Sequence, residues 1–150
     1  MRLYYQAAFT LIELVAVLVI VGILAATILI RITPSDVDLQ SAKNDVMAAL
    51  VFARETAMAR SDGTSSVTVV ITEALVGAVL ETSIDVRVNN SSINNIHQNY
   101  PLVLPKTVTV TPANQQILFT TLGETAAELI TLEDNEIEVT INVSGVGYAY

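Results

Sequence analysis

The chain has 150 residues, of which 52% are apolar, and its 7 basic and 15 acidic residues give a net charge of −8. It contains no cysteine and one histidine, which excludes disulfides, cysteine nucleophiles, cysteine-based metal sites and multi-histidine metal centres. The excess of acidic residues argues against electrostatic binding of nucleic acid.

The first element is an apolar run over residues 9–30, in which Glu13 is the one charged residue. As a helix this run would be roughly 33 Å long, enough to cross a bilayer hydrocarbon core of about 30 Å. It is apolar on every side, which favours lipid over one face of a soluble core. A buried core helix is the alternative, but the rest of the chain is too small to surround one.

The flanks of this run bear on cleavage and orientation. Ordinary signal-peptide cleavage after Ala25 or Ala26 is disfavoured, because Ile23 and Leu24 stand where a small residue is required. Arg2 precedes the run and Arg31 follows it, so the positive-inside rule does not decide the orientation.

A second helix is predicted after Thr33. Pro34 makes the first helix kink or restart, and Ser35 with Asp38 resembles a capping box. From Leu39 onward, apolar residues recur at spacings of three and four, which predicts an amphipathic helix over 35–60. Its alanine-rich stripe suits close approach to a flat surface and consists of Leu39, Ala42, Val46, Ala49, Leu50, Ala53 and Ala57. The helix ends at Ser61-Asp62-Gly63, a stop signal.

After Gly63 the apolar period changes to two, which predicts β-strands. Candidate strands lie at 67–71, 84–88, 108–110, 117–119 and 137–143. The last alternates apolar residues with Glu136, Glu138, Thr140 and Asn142, as expected of a strand with one buried and one wet face. Residues 64–150 therefore predict a small antiparallel sheet domain, with the amphipathic helix covering one face.

The N-terminal string Ala8-Phe9-Thr10-Leu11-Ile12-Glu13-Leu14, followed by an apolar helix, resembles the N-terminal motif of type IV pilins, minor pilins and type II secretion pseudopilins. A short leader, a junction before phenylalanine and one glutamate four residues further on make this motif specific. The resemblance implies the pilin fold. This is an α+β architecture in which a long N-terminal hydrophobic helix continues into an amphipathic helix packed on a small antiparallel β-sheet domain.

A second set of residues resembles the GspH/FimT group of minor pilins. It consists of Leu50, Ala53-Arg54, Ala57, Arg60, Phe119, Gly123-Glu124, Gly145 and Gly147. The final segment, 145–150, is also similar to minor pilins of mannose-sensitive haemagglutinin pili. The expected domains are a leader peptide at 1–8, a transmembrane and filament-core helix at 9–33, the amphipathic helix at 34–62 and a β-rich globular domain at 63–150.

The resemblance implies roles for individual residues. A prepilin peptidase would cut between Ala8 and Phe9, and Phe9 would then be N-methylated. Glu13 would order subunits during assembly, and Gly22, Ala25 and Ala26 would let helices approach closely. The partners implied are other pilin or pseudopilin subunits, the peptidase, an inner-membrane assembly platform and membrane lipid before assembly.

The implied location is the bacterial inner membrane, with one span and the β-rich domain in the periplasm, and then the pilus or pseudopilus. Two departures from the family pattern concern the leader. Ala8 stands where the family usually has glycine, which predicts slower processing, and Arg2 is the leader's one basic residue.

Other functions have weaker support. An uncleaved single-span protein with an outer binding domain is the main alternative. Some FimT-like minor pilins bind DNA through a basic tail, but no basic residue follows Lys106 here.

His97 lies in an asparagine-rich loop without a catalytic motif. The acids Glu133, Asp134, Glu136 and Glu138 could offer oxygen ligands to calcium, but a solvated edge explains them better. We therefore expect no enzymatic activity, no cofactor and no metal site.

Overall fold

The computed structural model describes residues 10–28, 34–60, 63–95, 97–134 and 137–150. The chain divides into two units, Met1–Pro34 and Ser35–Tyr150. Helix α1, Leu11–Ile28, lies in the first unit, and helix α2, Pro34–Ala59, begins at the boundary and belongs to the second. Two helices followed by antiparallel strands confirm the predicted α+β class and are consistent with a pilin fold.

Helix α2 buries the stripe that the sequence predicts. Each of its seven residues is exposed by 1% or less. Four of the seven are alanines, so the helix backbone can approach the sheets closely. The helix begins at Pro34, a favoured first helical residue because its missing N–H needs no partner there. Ser35 therefore lies inside the helix, so the interpretation of Ser35 with Asp38 as a capping box is wrong.

The larger sheet has five strands. They are β1 (Val67–Val76), β2 (Val79–Val88), β3 (Ser91–Ser92), β4 (Leu102–Val103) and β6 (Gln116–Phe119). The order is β3-β2-β1-β6, with β4 also pairing with β2, and all pairs are antiparallel. Strands β1 and β2 form a long hairpin, with Val67 opposite Val88 at its base and Val76 opposite Val79 at its tip.

The smaller sheet has three antiparallel strands. They are β5 (Thr109–Thr111), β7 (Glu128–Asp134) and β8 (Ile137–Val143), in the order β5-β7-β8. The sequence analysis predicted one sheet and missed β7, so both points are corrected by the structure. Burial alternates regularly along β7, but apolar Leu129 points outward with 52% exposure and polar Asp134 points inward with 2%, so residue type does not follow burial near the ends of this strand.

The stripe of α2 and the inner rows of both sheets form one core. The largest fully buried side chains include Phe119, Ile71, Ile84, Ile130 and Ile141. Burial of each such side chain contributes about 1.5–3 kcal/mol relative to leaving it in water. This shared core is what holds the two sheets on one helix.

Arg54 of α2 joins the helix to two tight turns. Its guanidinium carbon lies 4.1 Å from the centre of the Tyr148 ring, a cation–π contact. Gly123 and Gly147 both have positive φ, and a Cβ added at either would meet the Arg54 side chain. A Cβ at Gly147 would also collide with the carbonyl oxygen of Gly123. The turn at Gly147 can therefore close against Gly123 and Arg54 only because Gly147 lacks a side chain.

A loop is held against α2 by aromatic contacts with Phe52, two residues before Arg54. The Phe52 ring centroid lies 4.9 Å from that of His97, edge to face, and 5.6 Å from that of Tyr100, stacked. These rings and Asp45 line a pocket of about 250 Å³. Burial, and secondarily the Asp45 carboxylate, raise the pKa of the Tyr100 hydroxyl.

We predict that Gly147→Ala destabilises the full-length protein by more than Gly63→Ala. Both glycines have positive φ, +78° and +64°, but Gly63 has no atom within 4 Å of an added Cβ. The control should cost about 1–2 kcal/mol from backbone conformation alone. The collision at Gly147 should add about 1–3 kcal/mol. Urea unfolding in detergent micelles measures both, and equal losses would contradict the described closure of the turns.

We also predict a stability loss at alkaline pH that depends on Tyr100. Because its pKa is raised in the folded state, the unfolded chain releases the proton first, at about pH 10. The associated stability is present below that pH and is lost as the pH rises through the folded-state pKa. Tyr100→Phe should flatten this decline in urea midpoints. Asp45→Asn should lower the pKa of Tyr100 only part of the way toward its ordinary value, since burial is the larger cause. If tyrosinate forms at the same pH in the parent protein and in Asp45→Asn, this account is refuted.

Candidate functional site

The first turn of α1 is organised by Thr10. The backbone N–H of Glu13 is donated to the Thr10 hydroxyl at 3.3 Å and to the Thr10 carbonyl at 3.1 Å. Leu14 N–H also bonds to the Thr10 carbonyl, at 3.2 Å. Thr10 is thus the N-cap of the helix, and Glu13 is its third helical residue. Threonine followed three residues later by glutamate is the capping-box pattern, a signal that our sequence analysis missed.

Glu13 carries a negative charge at the positive end of a helix. It is the acidic residue of the first turn, and its side chain is exposed. A carboxylate in this position is stabilised by the helix dipole and by the free N–H groups of the first turn, by roughly 0.3–1 kcal/mol. This compensation is small compared with the cost of placing a charge in an apolar environment.

The rest of α1 presents apolar side chains on every side. All described side chains from Thr10 to Ala25 are exposed, including Leu11 at 80% and Ile12 at 73%. An added Cβ at Gly22 would meet no atom within 4 Å. In the described ranges, no helix combines the length and apolarity needed to span a membrane.

The predicted site residues divide into described and undescribed positions. Ala8 and Phe9 lie outside the described residues, as do the ends of the predicted 9–30 run. Gly22 and Ala25 lie on the exposed surface of α1, and Ala26 is a helical residue whose side chain is outside the description. No contact in the described chain assigns a partner to any of these residues, so their assembly roles stay predictions.

The chain's histidine packs beside an aromatic ring. His97 is exposed, and its described ring contact is with Phe52. The neighbouring Tyr100 has a raised pKa, which makes its hydroxyl a poorer source of a nucleophilic oxygen at neutral pH. The pocket beside these rings is therefore best explained as packing of a loop on α2.

The acidic cluster of the β7–β8 hairpin is split between two faces. Glu133 pairs with Glu138 and both are exposed, whereas Asp134 is buried and lies opposite Ile137, which is 38% exposed. Glu136 lies outside the described residues. Across the parts of the chain that are described, no three His, Cys, Asp or Glu residues are placed to hold a metal ion.

Asp134 differs from the solvated edge that the sequence analysis predicted. It is 2% exposed, and neither carboxylate oxygen has a hydrogen-bond partner among the residues described. The prediction of a wet edge is therefore wrong for Asp134, although it describes Glu133 and Glu138, which are exposed. The physical reason is the period of two, which turns alternate residues of one cluster to opposite faces.

Comparison with known families identifies one segment. Residues 3–29 match the prokaryotic N-terminal methylation motif, a range that includes Ala8, Phe9, the Thr10 cap and Glu13. No curated protein and no solved structure matches the chain. The motif implies cleavage by a prepilin peptidase and assembly with other pilins, and families of this type are structural rather than enzymatic. Motif and architecture together indicate a type IV pilin-like protein that is processed by a prepilin peptidase.

Proposed function

We propose that this protein is a minor pilin or pseudopilin of the GspH/FimT type, a structural subunit of a type IV pilus or a type II secretion pseudopilus. The observation that carries the proposal is the methylation motif at 3–29, which spans an exposed apolar helix with Glu13 as the charged residue of its first turn. Before assembly, the subunit is held in the inner membrane with its β-rich domain in the periplasm.

Glu13 supports an assembly role because its charge needs a partner. A carboxylate in a membrane helix costs roughly 2.5–3.5 kcal/mol, and such groups usually face a partner. Cleavage before Phe9 creates an ammonium group only four residues from Glu13. A neighbouring subunit's ammonium at 4 Å would attract the carboxylate by about 4 kcal/mol at an effective dielectric of about 20, before desolvation. The pair would therefore set the axial register of an entering subunit.

Helix α1 has two successive environments in this proposal. Its exposed apolar side chains first contact lipid and then contact the corresponding helices of other subunits. Gly22 and Ala25 are small and exposed, so they allow neighbouring backbones to approach. Because lipid tails are as apolar as the helix, close packing between helices, rather than removal of apolar surface from water, drives this association. The helix thus supplies attraction, and Glu13 supplies position.

The Arg54 junction supports assignment to the GspH/FimT group. Arg54, Gly123 and Gly147 belong to the residues that carry that resemblance, and they meet around one guanidinium. The spacing of these residues is therefore explained by a single packing requirement. A DNA-uptake role is disfavoured, since the chain has a net charge of −8 and no basic residue after Lys106.

We predict that the precursor loses Met1 to Ala8 and gains a methyl group on Phe9. Mass spectrometry of protein extracted from membranes with an active prepilin peptidase measures both changes. Ala8→Gly should be cut faster and Ala8→Leu much more slowly, because the residue before the cut must be small. Ala7→Gly is the matched control and should be cut at the parent rate. An intact leader in the parent protein would refute processing and leave a tethered single-span protein.

We predict that Glu13→Gln is processed normally but enters filaments at least tenfold less than the parent protein. A tenfold decrease corresponds to about 1.4 kcal/mol, which is the part of the ion-pair attraction that remains after the cost of desolvation. Glu13→Asp keeps the charge and should retain partial assembly. Thr10→Ala removes the cap, at a cost of about 1 kcal/mol, but keeps Glu13.

The measurement is the ratio of subunit in sheared filaments to subunit in membranes. If Glu13→Gln enters filaments as well as the parent, the carboxylate has no assembly role. If Thr10→Ala is as defective as Glu13→Gln, the defect comes from the helix start and the ion-pair explanation fails.

A further inference from the structure

The tip of the β1–β2 hairpin is an exposed apolar segment. Residues 74–80 have the sequence Ala-Leu-Val-Gly-Ala-Val-Leu, bounded by Glu73 and Glu81, and every one of them is exposed. Leu75 is 74% exposed, Val76 56%, Val79 41% and Leu80 40%. Isolated apolar residues are common on protein surfaces, but a continuous patch usually marks a site of interaction. We call residues 74–80 the apolar tip.

The apolar tip extends beyond the strands that flank the hairpin. Strand β6 pairs with β1 only over residues 67–70, and β4 pairs with β2 only at Ser83 and Ile84. The two-residue turn is Gly77-Ala78, where Gly77 has a φ of +70°. The turn therefore closes the hairpin tightly and leaves the tip as a narrow two-stranded projection.

Both faces of the apolar tip are apolar. Leu75 lies opposite Leu80, and Val76 lies opposite Val79. Because successive residues of a strand point to opposite faces, the first pair covers one face and the second pair covers the other. An element with one apolar face can lie on a flat surface. An element with two apolar faces is covered only when it enters a groove.

We propose that the apolar tip docks into an apolar groove on a different protein subunit, one whose groove has basic residues at its rim and offers a strand edge. The backbone supplies the first argument. The backbone N–H of Ile71 donates to the carbonyl of Gln115, and the carbonyl of Thr82 accepts from the N–H of Leu104. Both groups therefore point outward, away from the partner strand of the hairpin. The antiparallel alternation then turns the N–H and carbonyl groups of Leu75 and Leu80 outward as well.

These outward groups favour a protein partner over lipid. Within the described ranges, no strand pairs with the outer edges of residues 74–80. Unpaired N–H and carbonyl groups cost several kcal/mol each in hydrocarbon, so the tip is poorly suited to enter a bilayer. A partner with its own strand edge can bond to these groups while it covers the side chains.

The charges near the tip supply the second argument. Glu73 and Glu81 stand at its base, and Lys106 Nζ lies 3.3 Å from Glu81 Oε1. The tip itself has no basic or aromatic residue. This base is net acidic, so it is repelled by anionic lipid and by the same acids on a second copy. Basic residues at the rim of the groove would complement it.

The proposal is tested by photo-crosslinking from Ala78 in the full-length protein, expressed in its native host. A photoreactive residue replaces Ala78, and adducts are identified by mass spectrometry. We expect an adduct to a different polypeptide, at an apolar segment flanked by lysine or arginine. Leu75→Ser with Leu80→Ser should reduce the yield more than tenfold. The thermal unfolding midpoint should fall only slightly, because Leu75 is 74% exposed and Leu80 is 40% exposed.

Matched controls separate docking from general surface effects. Leu122 is 73% exposed in a turn, so Leu122→Ser removes similar apolar surface elsewhere and should leave the yield unchanged. Glu81→Gln should reduce the yield by about two- to fivefold, and Glu138→Gln should not. The tip lies in the Ser35–Tyr150 unit, so the crosslink is measured independently of N-terminal processing.

Four outcomes would overturn the proposal. These are adducts with lipid, adducts only with a second copy of the chain, no adduct at all, or an adduct whose yield is unchanged by the paired serine substitutions. If filament assembly fails while the crosslink to another polypeptide persists, the proposed filament function is wrong and the docking surface stands.

Discussion

Glu13 places a negative charge in the first turn of a helix whose described side chains, from Thr10 to Ala25, are exposed and almost all apolar. Water is a poor environment for the apolar side chains, and an apolar medium is a poor environment for the carboxylate. Both requirements are met when other helices cover α1 and one of them presents a positive group to Glu13. The helix cap adds a constraint, since Thr10 fixes the start of the helix and therefore the position of Glu13 relative to any amine created at Phe9.

The sequence predicted those parts of the fold whose pattern has a single period. The stripe of α2 was predicted completely, because seven residues at helical spacing can be buried together in only one way. Strand β8 alternates cleanly and was also predicted. Strand β7 was missed because its outward position 129 carries leucine and its inward position 134 carries aspartate, so the apolar pattern of the sequence does not follow the regular alternation of burial. The division into two sheets depends on pairings between distant strands, which local periodicity does not contain.

The functional positions show a similar division. Glu13 is a candidate from sequence because it is a lone charge in an apolar run, but the Thr10 cap was missed because a cap consists of local hydrogen bonds that apolar periodicity does not show. The outer half of the β1–β2 hairpin was missed because residues 74–80 are uniformly apolar and have no alternation. Strand pairing reveals them as a projection. Asp134 could not be distinguished from its acidic neighbours until pairing with Ile137 placed it on the inner face.

A filament subunit of this kind needs both attraction and selectivity, and different parts of the chain suit each requirement. An apolar helix attracts any similar helix, because contacts between aliphatic side chains depend little on the identity of the partner. In the proposed assembly a single carboxylate would add register, but every subunit with the same motif would offer the same register. Selection among such subunits must therefore come from surfaces outside α1. The apolar tip meets that requirement because a narrow hairpin with two apolar faces fits only a groove of matching width, and its free strand edges demand matching backbone groups. A partner that lacks either feature leaves apolar surface in water or hydrogen-bonding groups unpaired, so the cost of a wrong partner is built into the shape of the hairpin.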